Sequence, residues 1–337
     1  MSNFSVLAAS TSVESVGTPG LWALTIAGVL GLLVLDFVLT RRPHEVSMRE
    51  AMGWTIFYIA LPVAFGVYLW ASRGSTPGVE FFTGYLLEKS LSVDNLFVFM
   101  LLLTAFAVPA ALAQRVLLFG IAGALVLRGI FIALGAAALA TLDWAFLLFG
   151  LILLVTAIKL ILDAIGGGET EVDVNSMKSV RLMRRFMPVT DGYRGTRLTI
   201  VEHGKRALTP LALVVAAVMA TDLVFAVDSV PAVYGVTGDP YLVFATNAFA
   251  LLGLRALYFV LHAALTRLVH LVYGLAIILA FIGVKLVLHW AHDIWSGVPT
   301  IPTLASLGVI VAVLTTVTLT SLYATRDRAG DKAELAG

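Results

Sequence analysis

Two apolar stretches of the chain carry the same arrangement of acids: Glu88 and Asp94-Asn95 in EKSLSVDNLFVF, then Asp222 and Asp228-Ser229 in TDLVFAVDSVPA. An ionised carboxylate among hydrocarbon costs about 2.5–3.5 kcal/mol on insertion scales, so acids in such a setting mark a polar path or a binding site. Because the chain has no cysteine, it offers neither a thiolate nucleophile nor a thiolate metal ligand. The chemistry left to these residues is that of oxygen donors. Asp94-Asn95 with Asp228-Ser229 would supply two carboxylates, an amide and a hydroxyl. That set suits a hard divalent cation such as Mn2+, Mg2+ or Ca2+ better than Zn2+. The histidines fall at the ends of apolar runs or in loops and form no convincing ligand pair; His289 and His292 in HWAH read as interfacial.

Six residues of regular helix turn through about 240° and rise about 9 Å, so Glu88 does not share a face with Asp94, nor Asp222 with Asp228. Either the acids serve two depths of one path or the helix opens between them. Pro231 denies the carbonyl of residue 227 its hydrogen bond and favours an opening in the second copy. Lys89, Arg128, Lys159, Arg255 and Lys285 nearly balance Asp36, Glu88, Asp94, Asp222 and Asp228, so ion pairs could close the acids when no metal is bound. These cations, with Asp36 and Asn247, are the supporting candidates. Arg128 and Arg255 read first as structural or snorkelling residues, and Asn247 as either helix–helix glue or a ligand.

The elements that must position these groups are membrane helices. Sixty per cent of residues are apolar and 13% charged, with a mean hydropathy of +0.97, far from the roughly 25% charged of a soluble domain. The net charge of +1 excludes a global field for nucleic acid. Nine apolar runs, near 21–40, 52–71, 79–104, 110–140, 144–164, 207–234, 241–262, 268–290 and 302–323, are long enough to span a bilayer. The fold expected is all-α, one polytopic membrane domain over 1–337. Basic residues cluster after the odd-numbered runs, which places the N-terminus outside and the C-terminus in the cytoplasm. The segment 165–206 is a basic cytoplasmic loop whose SMKSVRLMRRFM reads as an amphipathic interfacial helix or as a solvated basic stretch.

Internal repetition organises the centre. LRGIFIAL with Arg128 resembles LRALYFVL with Arg255, and AIKLIL with Lys159 resembles GVKLVL with Lys285, in the same order as the two acid motifs. Spans three to five (79–164) thus pair with six to eight (207–290), followed by a final helix at 302–323. Three being odd, the second copy enters the membrane inverted, an arrangement suited to alternating access.

GYLLEKSLSVDNLFVF, ATDLVFAVDSVPAVYGVT, NAFALLGLRALYF and VYGLAIILAFIGVKLVL, with LDFVLTRRPHEVSMREA near the start, resemble the TerC integral membrane family, named for tellurium resistance. The resemblance runs from about Asp36 to the ninth run. It implies nine membrane helices in the lysine-exporter superfamily, a bacterial inner-membrane location and, for the better understood members, manganese efflux. The family's intramembrane acids match Glu88, Asp94, Asp222 and Asp228. Where relatives often carry an acid three residues before Asp222, this chain has Met219. The leading expectation is a divalent metal exporter, with Asp94 and Asp228 binding Mn2+, Asn95 and Ser229 completing its shell, and Glu88 and Asp222 acting at the two entrances or carrying counter-protons. No permanently bound cofactor is expected. The alternative is a membrane partner that supports metal loading at the secretion machinery, or stress tolerance, with 165–206 as its docking surface. An enzyme is disfavoured, since neither G-x-S-x-G nor H-E-x-x-H occurs.

Overall fold

A computed structural model describes residues 15–40, 46–142, 144–165, 180–181, 183, 188–190, 192–202, 205–261, 270–295 and 297–334, apart from the side chains of 93, 94, 97, 202, 205, 261, 322 and 325–334. The described residues are almost wholly helical: α1 (Pro19–Leu39), α2 (Met48–Arg73), α3 (Ser75–Ala105), α4 (Ala110–Thr141), α5 (Ala145–Ile165), α6 (Pro210–Tyr234), α7 (Pro240–Leu252), α8 (Leu254–Leu261), α9 (Leu271–Ile294) and α10 (Thr303–Glu334). Seven of these helices are long and apolar enough to cross a membrane, or eight if the bent pair α7–α8 counts as one span. Helix α3 is not among them, because Glu80, Glu88, Lys89 and Asp94 all lie along it.

Local sequence sets the helix ends. Thr18 caps α1 by accepting from the Leu21 N–H, ahead of Pro19 in the first turn. Asp239 caps α7 through the Tyr241 N–H at 2.9 Å, and the same carboxylate accepts from Ser15 Oγ at 2.7 Å and Val16 N at 2.6 Å. One acid therefore fastens the approach to α1 onto the α6–α7 turn. Gly74, at φ +101°, lets α2 turn directly into α3.

The most extensive helix pairing is α5 with α9, followed by α4 with α6 and α3 with α7. Helices α5 and α9 touch backbone to backbone. A Cβ on Gly150 would lie 2.8 Å from the Gly283 carbonyl oxygen, and one on Gly283 would lie 2.9 Å from that of Gly150. Small residues permit this approach where lipid supplies no hydrophobic drive between helices.

Several expectations change. The opening at Pro231 does not occur: α6 is continuous, and the proline sits in its last turn, where the lost bond concerns only Val227. Helix α3 is also continuous. The break lies instead within the expected span 241–262, where α7 and α8 meet at Gly253 with a bend of 40°. The loop 165–206 ends in a hairpin, β1 (Thr199–Glu202) against β2 (Lys205–Leu208), in antiparallel register, whose second strand takes in the first two residues of the span expected from 207. The alternation of LTIVE was its signal, masked by surrounding glycines and arginines. Beside it the Tyr193 hydroxyl donates to the Phe106 carbonyl at 2.8 Å, and burial pushes that hydroxyl up to about 12. The interfacial helix expected over SMKSVRLMRRFM falls mostly outside the described residues.

Gly150→Leu should force α5 and α9 apart and cost about 1–3 kcal/mol. The check is the thermal unfolding midpoint in detergent. Gly129→Leu is the control, since a Cβ at Gly129 meets nothing within 4 Å, and it should leave the midpoint unchanged.

Candidate functional site

Helical periodicity sorts the acids. Residues seven apart on a helix lie nearly in line, six apart do not. On α3 the inward line is Glu88, Ser92 and Asn95; on α6 it is Asp222, Ala226 and Ser229. All six are buried. Between these lines stands Arg128 of α4, whose Nη1 donates to Glu88 Oε1 and, at 2.8 Å, to Asn247 Oδ1 of α7. Its Nε and Nη2 form a fork on Asp222, reaching Oδ2 at 3.1 Å and Oδ1 at 3.2 Å. Relative exposure is 1% for Arg128 and Asn247 and 0% for Glu88 and Asp222, so water screens none of these charges. With both carboxylates ionised, two negative charges meet one guanidinium in direct contact, and the Lys89 ammonium lies within electrostatic reach of Glu88.

Four oxygens from three helices thus converge on one guanidinium. Glu88 Oε2 has no hydrogen-bond partner among the described residues, nor have Ser229 Oγ, Ser92 Oγ and Asn95 Nδ2. Ser229 is near enough to Glu88 for its hydroxyl to act on that carboxylate as a hydrogen-bond donor, just outside full bonding geometry. Asn247 is fixed by its own amide, which donates to the Val243 carbonyl at 3.0 Å.

A second buried cluster surrounds Arg255, which stands in LRALYFVL as Arg128 stands in LRGIFIAL. It donates to Asp36 of α1 through Nε at 3.3 Å and Nη2 at 2.7 Å, and to Gln114 of α4 through Nη1 at 2.9 Å. The Tyr58 ring brings its hydroxyl near the same carboxylate. Here one acid meets one arginine. Lys89, next to Glu88, points to the α7–α8 break, where its ammonium donates to the Ala250 carbonyl at 3.3 Å. A Cβ on Gly253 would lie 2.9 Å from Lys89 Nζ and 3.1 Å from Tyr58 Cβ, so the glycine makes room for both. The cation meets the negative end of a half-helix.

The arrangement differs from the sequence expectation in which acids meet. Glu88 and Asp222 do not lie apart but meet on one buried guanidinium, and Arg128 does not snorkel. Asp228 turns to another face, half-buried, and accepts from Thr156 Oγ1 of α5 at 2.7 Å; the six-residue spacing carries it away from Asp222. Asp94 lies on α3 with its side chain outside the described set. Lys159 is exposed, whereas Lys285 is half-buried within electrostatic reach of Glu80. Among the described residues no three His, Asp or Glu side chains gather as a metal cluster, so the oxygen set is two carboxylates and an amide. Gln114, Tyr58 and Thr156 are site neighbours that sequence reasoning missed. Gln114 alone gave a signal, as an uncharged polar residue in the apolar run beside Arg115.

Residues 73–329 match the integral membrane protein TerC family. The chain is similar to an uncharacterized membrane protein of Mycobacterium tuberculosis (strain ATCC 25618 / H37Rv), with 45% identity over 327 residues, 93% of this chain and 82% of that protein. An uncharacterized membrane protein of Myxococcus xanthus is 43% identical over 273 residues, covering 81% and 84% of the two chains. A protein of Escherichia coli (strain K12), provisionally named membrane-bound redox modulator Alx, is 39% identical over 313 residues, 90% and 94% of the two chains. No solved structure matches.

The excess of acid over arginine has a consequence for stability. Glu88→Gln leaves Arg128 and Asp222 as a balanced pair and should keep the metal-free protein within about 1 kcal/mol of wild type, or raise its stability. Arg128→Gln strands two buried carboxylates and should cost about 3–5 kcal/mol. Unfolding midpoints of both variants in metal-free detergent solution provide the comparison.

Proposed function

The chain belongs to the TerC family of integral membrane proteins, and on that premise we propose that it exports a divalent metal ion, Mn2+ first among the candidates, through the Glu88–Asp222–Asn247 oxygen set. One observation carries this reading: repeat-related acids from α3 and α6, with the Asn247 amide, aim four buried oxygens at a single cation, and a further carboxylate oxygen is left over. A negatively charged, all-oxygen cage in a low-dielectric bundle favours a small hard cation. Glu88 and Asp222 take the central role in ion binding, and Ser229, beside Glu88, adds a hydroxyl. Asp94 and Asp228 then serve the path on either side.

Transport by alternating access is supported by the pattern of helix pairing. If α3, α4 and α5 exchange with α6, α7–α8 and α9, the pair α5–α9 maps onto itself and α4–α6 maps onto α3–α7, the three most extensive contacts. With α3 crossing as well, nine spans result, the N-terminus lying outside and the C-terminus in the cytoplasm of a bacterial inner membrane. The name of the Escherichia coli relative speaks of redox modulation. Thiol–disulfide exchange is closed to this chain, which has no cysteine, and an oxygen-donor site accords with metal handling.

Reconstitution into liposomes tests the proposal. Mn2+ should cross in a protein-dependent manner, and Glu88→Gln and Asp222→Asn should each lower the initial rate by about tenfold or more, the loss expected of about 1.4 kcal/mol. An absence of Mn2+ flux under any imposed ion gradient, or full flux in the double variant, would remove it.

A further inference from the structure

Building on the reading of this chain as a metal exporter, we infer that Arg128 is a tethered counter-cation: its guanidinium and the exported ion take turns in the same oxygen cage. The geometry is that of a cation surrogate. Every polar contact of the guanidinium with Glu88, Asp222 and Asn247 uses an oxygen that a hard divalent ion would also use, and the donors come from three helices other than its own.

Charge decides why the two must alternate. Among the groups in direct contact, two carboxylates with the guanidinium leave one negative charge and two carboxylates with Mn2+ leave none, while the Lys89 ammonium, held on the Ala250 carbonyl, acts on Glu88 from outside the cage in both states. Both cations in the cage at once would give an excess positive charge without water to screen it. A monovalent ion that expelled the guanidinium would leave one negative charge, so the same exchange discriminates in favour of divalent ions. The ion-free carrier never has to change conformation with two bare carboxylates in its core, because Arg128 covers them.

Arg255 provides the contrast. It occupies the matching place in the second copy of the sequence pattern, yet it is balanced by the single acid Asp36 and completed by Gln114. That is a fastening between α1, α4 and α8. Arg128 differs in having more acid than one guanidinium neutralises, and a carboxylate oxygen of Glu88 without a partner.

Two measurements on full-length protein test the inference. In thermal titrations with Mn2+ alone as the probe, Arg128→Gln should bind about tenfold tighter than wild type, since no guanidinium must be expelled. In liposomes, the ratio of net Mn2+ efflux to Mn2+/Mn2+ exchange should fall about tenfold in Arg128→Gln, because exchange needs no ion-free return whereas net efflux does. Arg128→Lys, purified in Mn2+ alongside it, keeps one charge but loses the fork on Asp222. It should bind Mn2+ more tightly than wild type and hold an intermediate ratio. Equal or weaker binding in these variants, or an unchanged ratio, overturns the role of Arg128; if Arg128→Gln does not fold even with Mn2+, the lysine variant decides alone. Wild-type protein that neither binds nor exchanges Mn2+ counts instead against metal export itself.

Discussion

Charge placed where water cannot reach it must be matched by charge, and this bundle is organised around that requirement. Arg128 holds α3, α4, α6 and α7 to one another through Glu88, Asp222 and Asn247. Arg255 ties α1 and α4 to α8, and Lys89 joins α3 to the broken end of α7. Lipid gives helices no hydrophobic reason to associate, so such polar contacts, together with close approaches at glycines, carry much of the work of orientation. Removing any one cation would leave a buried carboxylate or carbonyl without its partner, a larger penalty than the bond itself is worth.

The same requirement separates a fastening from a site. The Asp36–Arg255 cluster is balanced, one acid to one arginine, and needs nothing further. In the Arg128 cluster two acids meet one arginine, with Lys89 within electrostatic reach of Glu88 but directed to Ala250, and one buried Glu88 oxygen lies outside the arginine's contacts. An imbalance of this kind is expensive in hydrocarbon and serves no structural end that a balanced pair would not serve better. It is the feature from which both the proposed ion selectivity and the proposed alternation follow.

Much of this was legible in the chain itself. The helical class followed from composition and the lengths of the apolar runs, and the burial of Glu88 and Asp222 followed from their place in apolar stretches. The rule that six residues do not share a helix face was also correct, for Asp222 and Asp228 part company. What periodicity could not tell was which member of each acid pair faces the centre. The face is chosen by packing: Ser92, Asn95, Ala226 and Ser229 are small enough to line up inward with Glu88 and Asp222. Likewise the proline was a local signal for a break, but the actual break formed at Gly253, where Lys89 and Tyr58 from other helices occupy the room that a missing side chain leaves.

The sequence by itself therefore determined that a set of charges would be buried among membrane helices and of what chemical kind they are, because hydropathy and residue type are local properties. Only the tertiary structure decided the pairing: that Arg128 rather than Arg255 faces two acids, that Asp36 answers Arg255, and that Asp228 goes to Thr156. Ion pairs between residues 40, 94 and 219 positions apart depend on helix rotation and register, which are set by side-chain packing across the whole bundle and have no signature in any one helix.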